Sequence, residues 1–97
     1  MKILSTGVAG TLESCDAMIT VTPCDEIRIS LNSPVIGQFG DAIYDVVRRT
    51  LAEMQISGAH VEIEDKGAFD CVIRARLQAA VCRASGSSFD WEGEDGK

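Results

Sequence analysis

A chain of 97 residues holds one domain with a modest two-layer core and is too short to enclose a deep catalytic cavity, which favours a binding or carrier module. Fifteen acidic side chains against nine basic ones give a formal net charge of -6, a balance that repels phosphate backbones and anionic lipid and points to protein partners, with no nucleic acid and no membrane. Hydrophobic residues make up 45% of the chain but aromatic ones only 5%, so the core has to be built mainly from Ile, Val, Leu and Ala.

The opening MKILSTGVAG lacks the continuous apolar core of a secretory signal, and no apolar run approaches the roughly 18 residues of a membrane span, so a cytoplasmic protein is expected. Residues 1–16 carry Gly7 and Gly10 and no sustained period, which predicts a loop or extended arm leading into a sheet. AMITVT, Ala17–Thr22, alternates as a strand with Ala17, Ile19 and Val21 on one face. Pro23, Cys24 and Asp25 interrupt it, and EIRISLN resumes the alternation through Ile27, Ile29 and Leu31, so the two strands read as a β-hairpin.

Asn32, Ser33 and Pro34 then signal a helix start, with Ser33 as cap and Pro34 in the first turn, where a missing N–H costs nothing. The helix should run from Pro34 to Met54, because Ile36, Phe39, Ile43, Val46, Val47, Leu51 and Met54 recur at three- and four-residue steps. Asp41, Asp45, Arg48, Arg49 and Glu53 fall away from that stripe as a solvated face. Gly37 and Gly40 weaken its first turns and suggest close packing or a late start. AHVEIED is a third strand, turning Ala59, Val61 and Ile63 inward and His60, Glu62 and Glu64 outward. A second helix from Ala68 to Ala84 puts Phe69, Ile73, Leu77, Ala80, Val81 and Ala84 on one face, spaces Asp70 and Arg74 for an i,i+4 pair, and stops at Gly86. The predicted architecture is α+β, a small two-layer domain with a three-stranded mixed sheet in β-β-α-β-α order and both helices on one face. Residues 1–86 form the domain in this reading, and the acidic, glycine-rich 87–97 forms a flexible tail unless Phe89 and Trp91 dock.

No self-sufficient active site stands out. Cys15, Cys24, Cys71 and Cys82 form no CxxC pair, and the single histidine, His60, is distant in sequence, which argues against a zinc site. Ser14 has no base within reach, and Glu13 and Asp16 would make a Cys15 thiolate scarcer by like-charge repulsion. The acidic groups Glu13 with Asp16, and Glu62 with Glu64 and Asp65, lack a third ligand type that would fix a metal and read as solvated. No catalytic residue and no metal ligand is therefore assigned. Covalent attachment makes other demands: an accepting serine needs exposure, a permissive backbone and a local surface that a separate transferase can recognise, and AGTLESCD around Ser14 offers these.

Three segments in order, AGTLESCDAMITV (Ala9–Val21), QFGDAI (Gln38–Ile43) and DKGAFDCVIRARLQAAVCRASG (Asp65–Gly86), resemble the acyl carrier protein of citrate lyase, its gamma subunit. The resemblance implies a carrier, not an enzyme by itself. It implies that Ser14 is esterified through a phosphodiester to phosphoribosyl dephospho-coenzyme A, whose terminal thiol carries acetyl or citryl as a thioester. The implied partners are the alpha subunit, which exchanges acetyl for citryl, the beta subunit, which cleaves citryl to oxaloacetate, and the prosthetic-group transferase. A tethered arm raises the effective concentration of the acyl group at both partner sites. The family commonly carries glycine after the serine, where this chain has Cys15. The competing reading is an acidic α+β protein–protein interaction module with no prosthetic group, using an exposed strand edge or Arg48, Arg49, Arg74, Arg76 and Arg83.

Overall fold

The computed structural model describes residues 1–34 and 36–86, residues 36–39 through their backbone only. Alternation sets the strands where the sequence predicts them: β2 is Ala17–Thr22, β3 is Ile27–Asn32 and β4 is Ala59–Asp65. A further strand, β1, Gly7–Gly10, precedes them within the segment predicted as an arm, so the sheet has four strands rather than three. Helix α1 spans Ile36–Glu53 and α2 spans Asp70–Ser85. The class and the placement of both helices on one face agree with the expectation, since α2 packs on β1 and β2 while α1 contacts β3 and α2.

The strand order is β1-β2-β4-β3, and it replaces the predicted hairpin of β2 with β3. β4 lies between them, antiparallel to β2 with Ile19 opposite Ile63 and parallel to β3 with Ile29 opposite Val61. Burial explains the choice. Ala59, Val61, Ile63 and Asp65 are all buried and need cover from both neighbours, whereas β3 is exposed or half-buried along its length and is suited to an edge. The Pro23–Glu26 link is long enough to step over two strand spacings, about 10 Å, leaving a slot for β4. Gly58 fits beneath that link: a Cβ there would stand 2.3 Å from the Cys24 carbonyl oxygen. The Ala59 amide donates to the Glu26 carbonyl at 3.0 Å and ties the link to β4.

β1 forms the real hairpin with β2, pairing Gly7 with Val21 and Gly10 with Met18. It lacks the alternating bulky residues of a predicted strand because it lies directly on α2. A Cβ on Gly7 would meet the Ala80 carbonyl oxygen at 2.2 Å and the Ala84 nitrogen at 2.5 Å. The chain before β1 is fastened to the same helix end, where the Leu4 and Ser5 amides donate to the Ala84 carbonyl at 3.0 and 2.9 Å and Ile3 is buried.

The core joins Ile19, Val21, Val61 and Ile63 of the sheet to Ile43, Val47 and Leu51 of α1 and to Ile73, Leu77 and Val81 of α2. Thr50 is wholly buried in the α1 stripe, its hydroxyl satisfied by donation to the Val46 carbonyl at 2.8 Å. Ile36 and Phe39, predicted in that stripe, have side chains outside the described residues, as does the whole 87–97 tail. Helix α1 starts two residues after Pro34, and it closes through Gln55 at φ 60°, with the Ile56 amide donating to Leu51 and the Gln55 amide to Ala52. Gly86 ends α2 in the left-handed conformation, as predicted. Two helix expectations are corrected. Phe69 is the residue before α2 and is 74% exposed rather than in the core, because the helix begins at Asp70, two residues later than the predicted Ala68. Arg74 pairs with Glu53 of α1, not with Asp70, so the charge ties one helix to the other.

Candidate functional site: the Thr11–Asp16 turn

Ser14 lies in the loop that joins β1 to β2. Within it the Asp16 amide donates to the Glu13 carbonyl at 3.1 Å, closing a four-residue turn with Ser14 and Cys15 at its centre. Cys15 has φ 66°, the left-handed conformation that the third position of a type II turn requires and that glycine adopts most easily. Ser14 is exposed and its hydroxyl has no partner among the described residues. The turn is not a loose arm. On one side of Ser14 the Cys15 amide donates to the Lys66 carbonyl at 2.8 Å, and the Lys66 amide donates to the Asp16 carbonyl at 2.9 Å.

Asp16 is the centre of the fastening. Arg76 of α2 donates to both carboxylate oxygens, Nε to Oδ1 at 2.9 Å and Nη2 to Oδ2 at 3.0 Å. The Thr11 hydroxyl adds a bond to Oδ2 at 2.6 Å and the Ala17 amide one to Oδ1 at 2.7 Å, while Thr11 Oγ1 accepts from the Glu13 amide at 3.2 Å. The Arg76 guanidinium first, then Thr11 and the Ala17 amide, hold the Asp16 carboxyl far below the usual carboxylate range. A fork-to-fork pair of this kind fixes direction as well as distance, so the loop is held between the sheet and α2.

Asp65 corrects the reading of Glu62, Glu64 and Asp65 as a solvated acidic cluster. It is 2% exposed and accepts from the Ser33 hydroxyl at 2.6 Å and from the Gly67 and Ala68 amides at 3.1 and 2.9 Å. Its carboxylate thus ties the residue after β3 to the β4–α2 connection beside the groove that Ser14 also lines. The period of two that sends Ala59, Val61 and Ile63 inward continues to position 65, and that parity was the available signal for its burial. Glu62 is exposed, and Glu64 accepts from Asn32 Nδ2 at 3.1 Å on the outer face of the sheet.

A groove of about 450 Å³ flanks the turn, lined by Leu12, Ser14, Asn32, Pro34, Glu64 and Lys66 among others. His60 is on the outer sheet face, within 3.1 Å of the Ser30 hydroxyl, and its ring is 3.8 Å from Glu62. It precedes Asp65 by five residues along β4, about 17 Å at the usual strand rise, so it cannot serve Ser14 as a base. Among the described residues no group of three or more His, Cys, Asp or Glu side chains could hold a metal ion. Cys15 and Cys71 are exposed, and Cys24 and Cys82 half-buried. No described helix is long and apolar enough to cross a membrane.

The residues around Ser14 suit a covalently attached group better than a self-contained reaction. An exposed hydroxyl on a fastened turn is accessible to another protein, the adjoining groove leaves space for a substituent, and Lys66 brings one cation to the groove. Arg74 and Arg76, named above only as a possible protein-contact surface, are engaged by Glu53 and Asp16. Lys66 was not singled out, because nothing in its local sequence marks it; its backbone pairing with residues 15 and 16 brings it there.

Comparison with known proteins follows the same line. The family model of the malonate decarboxylase delta subunit, an acyl carrier family, matches residues 5–84. The citrate lyase acyl carrier protein of Haemophilus influenzae is 49% identical over 92 residues, covering 95% of this chain and 97% of that one. Those of Escherichia fergusonii and Cronobacter sakazakii are 54% and 55% identical, covering 88% and 87% of this chain and 90% and 88% of their own. A match that runs from Ser5, just before β1, to Ala84 in the last turn of α2 takes in all four strands and nearly all of both helices: the chain belongs to the acyl carrier family that comprises the malonate decarboxylase delta subunit and the citrate lyase acyl carrier proteins.

Proposed function

We propose that this chain is the acyl carrier subunit of a citrate lyase complex and that Ser14 carries phosphoribosyl dephospho-coenzyme A through a phosphodiester. The observation that carries this reading is the exposed Ser14 hydroxyl, without a partner or a base among the described residues, in a turn whose Cys15 and Asp16 are held by Lys66. A nucleophile that works by itself needs a neighbouring base, whereas an acceptor can borrow one from the enzyme that modifies it. In loading, Ser14 Oγ forms the bond to phosphorus, its proton passes to a base of the transferase, and the leaving group of the donor departs.

The attached group supplies a terminal thiol that holds acetyl or citryl as a thioester. This chain contributes position. Asp16, Arg76 and Lys66 keep the attachment point at a fixed place on the sheet end, so that the length of the arm alone sets its reach. Alpha and beta subunits supply the acyl exchange and the cleavage, and no catalytic residue is assigned to this chain. Residues 1–86 act as the carrier domain, 87–97 as its tail, and the complex works in the cytoplasm. The names of the full-length relatives favour citrate over malonate as the starting acid.

Intact mass of the chain, produced together with its transferase and the enzymes that make the donor, tests the reading. One adduct of the mass of the phosphoribosyl dephospho-coenzyme A group, mapping to the peptide that contains Ser14 and lost in Ser14→Ala, is expected. An unmodified wild-type chain, or an adduct elsewhere, would return the protein to the class of interaction modules.

A further inference from the structure

The attachment turn is surrounded by acids. Glu13 precedes Ser14, Asp16 closes the same turn, and Glu64 and Asp65 line the groove beside it. The whole chain already carries a net charge of -6. A phosphodiester formed on Ser14 adds one more negative charge at this place, and repulsion from its neighbours opposes it unless a cation is near.

The cations divide clearly. Arg76 is held by both oxygens of Asp16, and Arg74 is across the helix pair on Glu53. Lys66 differs: it lines the groove together with Ser14, and its side chain is exposed and has no hydrogen-bond or ion-pair partner among the described residues. Its backbone is not free to drift, since its amide bonds the Asp16 carbonyl and its carbonyl receives the Cys15 amide. The ammonium group therefore starts from a fixed point just past the end of β4, next to the turn, with only its own flexible stem between that point and Ser14 Oγ. A lysine is well suited to the task, because a compact charge on a mobile stem follows a phosphate without needing a particular approach angle.

We infer that Lys66 is the counter-charge of the phosphodiester on Ser14, pairing with it once the arm is attached and attracting the anionic donor during loading. The inference rests on the carrier reading and deepens it by assigning a residue to the proximal phosphate. The acidic rim gives the arrangement a second consequence: beyond Lys66 the anionic arm is repelled from the protein surface and directed outward.

Loading kinetics and ³¹P spectra of wild type, Lys66→Ala and Lys66→Arg test it. Removing the charge is expected to raise the KM for the donor about 5- to 10-fold with kcat little changed, and arginine to restore it, as for a steering charge at an exposed site. In the loaded protein the diester ³¹P resonance should move in Lys66→Ala and return in Lys66→Arg, and the Lys66 ε-methylene signal of wild type should shift on loading. The fold is not at risk, since only backbone atoms of Lys66 are engaged. Identical ³¹P resonances in wild type and Lys66→Ala, with an unmoved ε-methylene signal, overturn the inference and leave the carrier reading intact. Equal loss of loading in both variants also overturns it, because arginine keeps the charge. A wild-type chain that takes up no adduct overturns both readings together.

Discussion

At φ 66° Cys15 is in the region where a Cβ crowds the next carbonyl oxygen, at a cost of about 1–2 kcal/mol for a residue other than glycine. Nothing in its surroundings offsets this. It is exposed, forms no disulfide, and only its backbone amide is engaged, with the Lys66 carbonyl. Glycine removes the crowding but widens the unfolded ensemble by about 0.4–1 kcal/mol, so the balance still favours it. Cys15→Gly is therefore expected to stabilise the protein by about 0.5–1 kcal/mol, a rise in melting temperature of a few degrees for a domain of this size. Thermal unfolding at neutral pH measures it, and an unchanged or lower midpoint would mean that the turn is not strained at this residue. Cys15 thus occupies the turn position that glycine adopts most easily, and among the described residues only its backbone amide has a partner.

Among the elements, those with a strong period were legible and those defined by close approach were not. AMITVT and AHVEIED declare themselves because every second residue must be apolar to reach the core, and both have the predicted bounds. β1 is GVAG, whose inward positions Gly7 and Ala9 are small because α2 lies directly on them, so the property that makes it a strand here erases its strand signature. The end of α1 was legible to within a residue, Met54 against Glu53, although Gln55 takes the place usually given to glycine at a helix end. Gly7→Ala measures how tight the β1–α2 contact is. Its methyl group would meet backbone atoms of Ala80 and Ala84 at 2.2 and 2.5 Å, which cannot rotate away as a side chain would. A loss of about 2–3 kcal/mol in denaturant unfolding is expected, with little change in the m value. A neutral result would imply that β1 can slide off the helix freely, and the turn that follows it would then have no firm base on that side.

Over the whole molecule, the order β1-β2-β4-β3 brings three distant segments together at one end of the sheet: the turn at 11–16, the β4 end at 65–66 and Arg76 on the second helix. Sequence singled out the serine as a candidate, but it could not supply this meeting, because an Asp16–Arg76 pair sixty residues apart and a Lys66 contact through backbone atoms leave no local pattern. The pair makes a pH prediction whose sign follows from linkage. Asp16 has a carboxyl lowered below its unfolded value, so the folded state favours the ionised form, and the stabilisation is fully present above the ordinary carboxylate pKa of about 4. As pH falls below that value the unfolded chain takes up the proton first and the advantage declines, until it is gone below the folded-state pKa. The melting temperature of wild type should therefore exceed that of Asp16→Asn by a constant margin between pH 8 and 5, and the margin should shrink as the pH is lowered further. Amide hydrogen exchange on the same samples adds the functional reading. In wild type at neutral pH the Cys15 amide, which donates to Lys66, should be protected, and in Asp16→Asn it should exchange faster while the amides of central β4 stay slow. A Cys15 amide that exchanges equally fast in both proteins would mean that the turn moves independently of the carboxylate, and the proposed attachment point would then be mobile rather than fixed to the sheet.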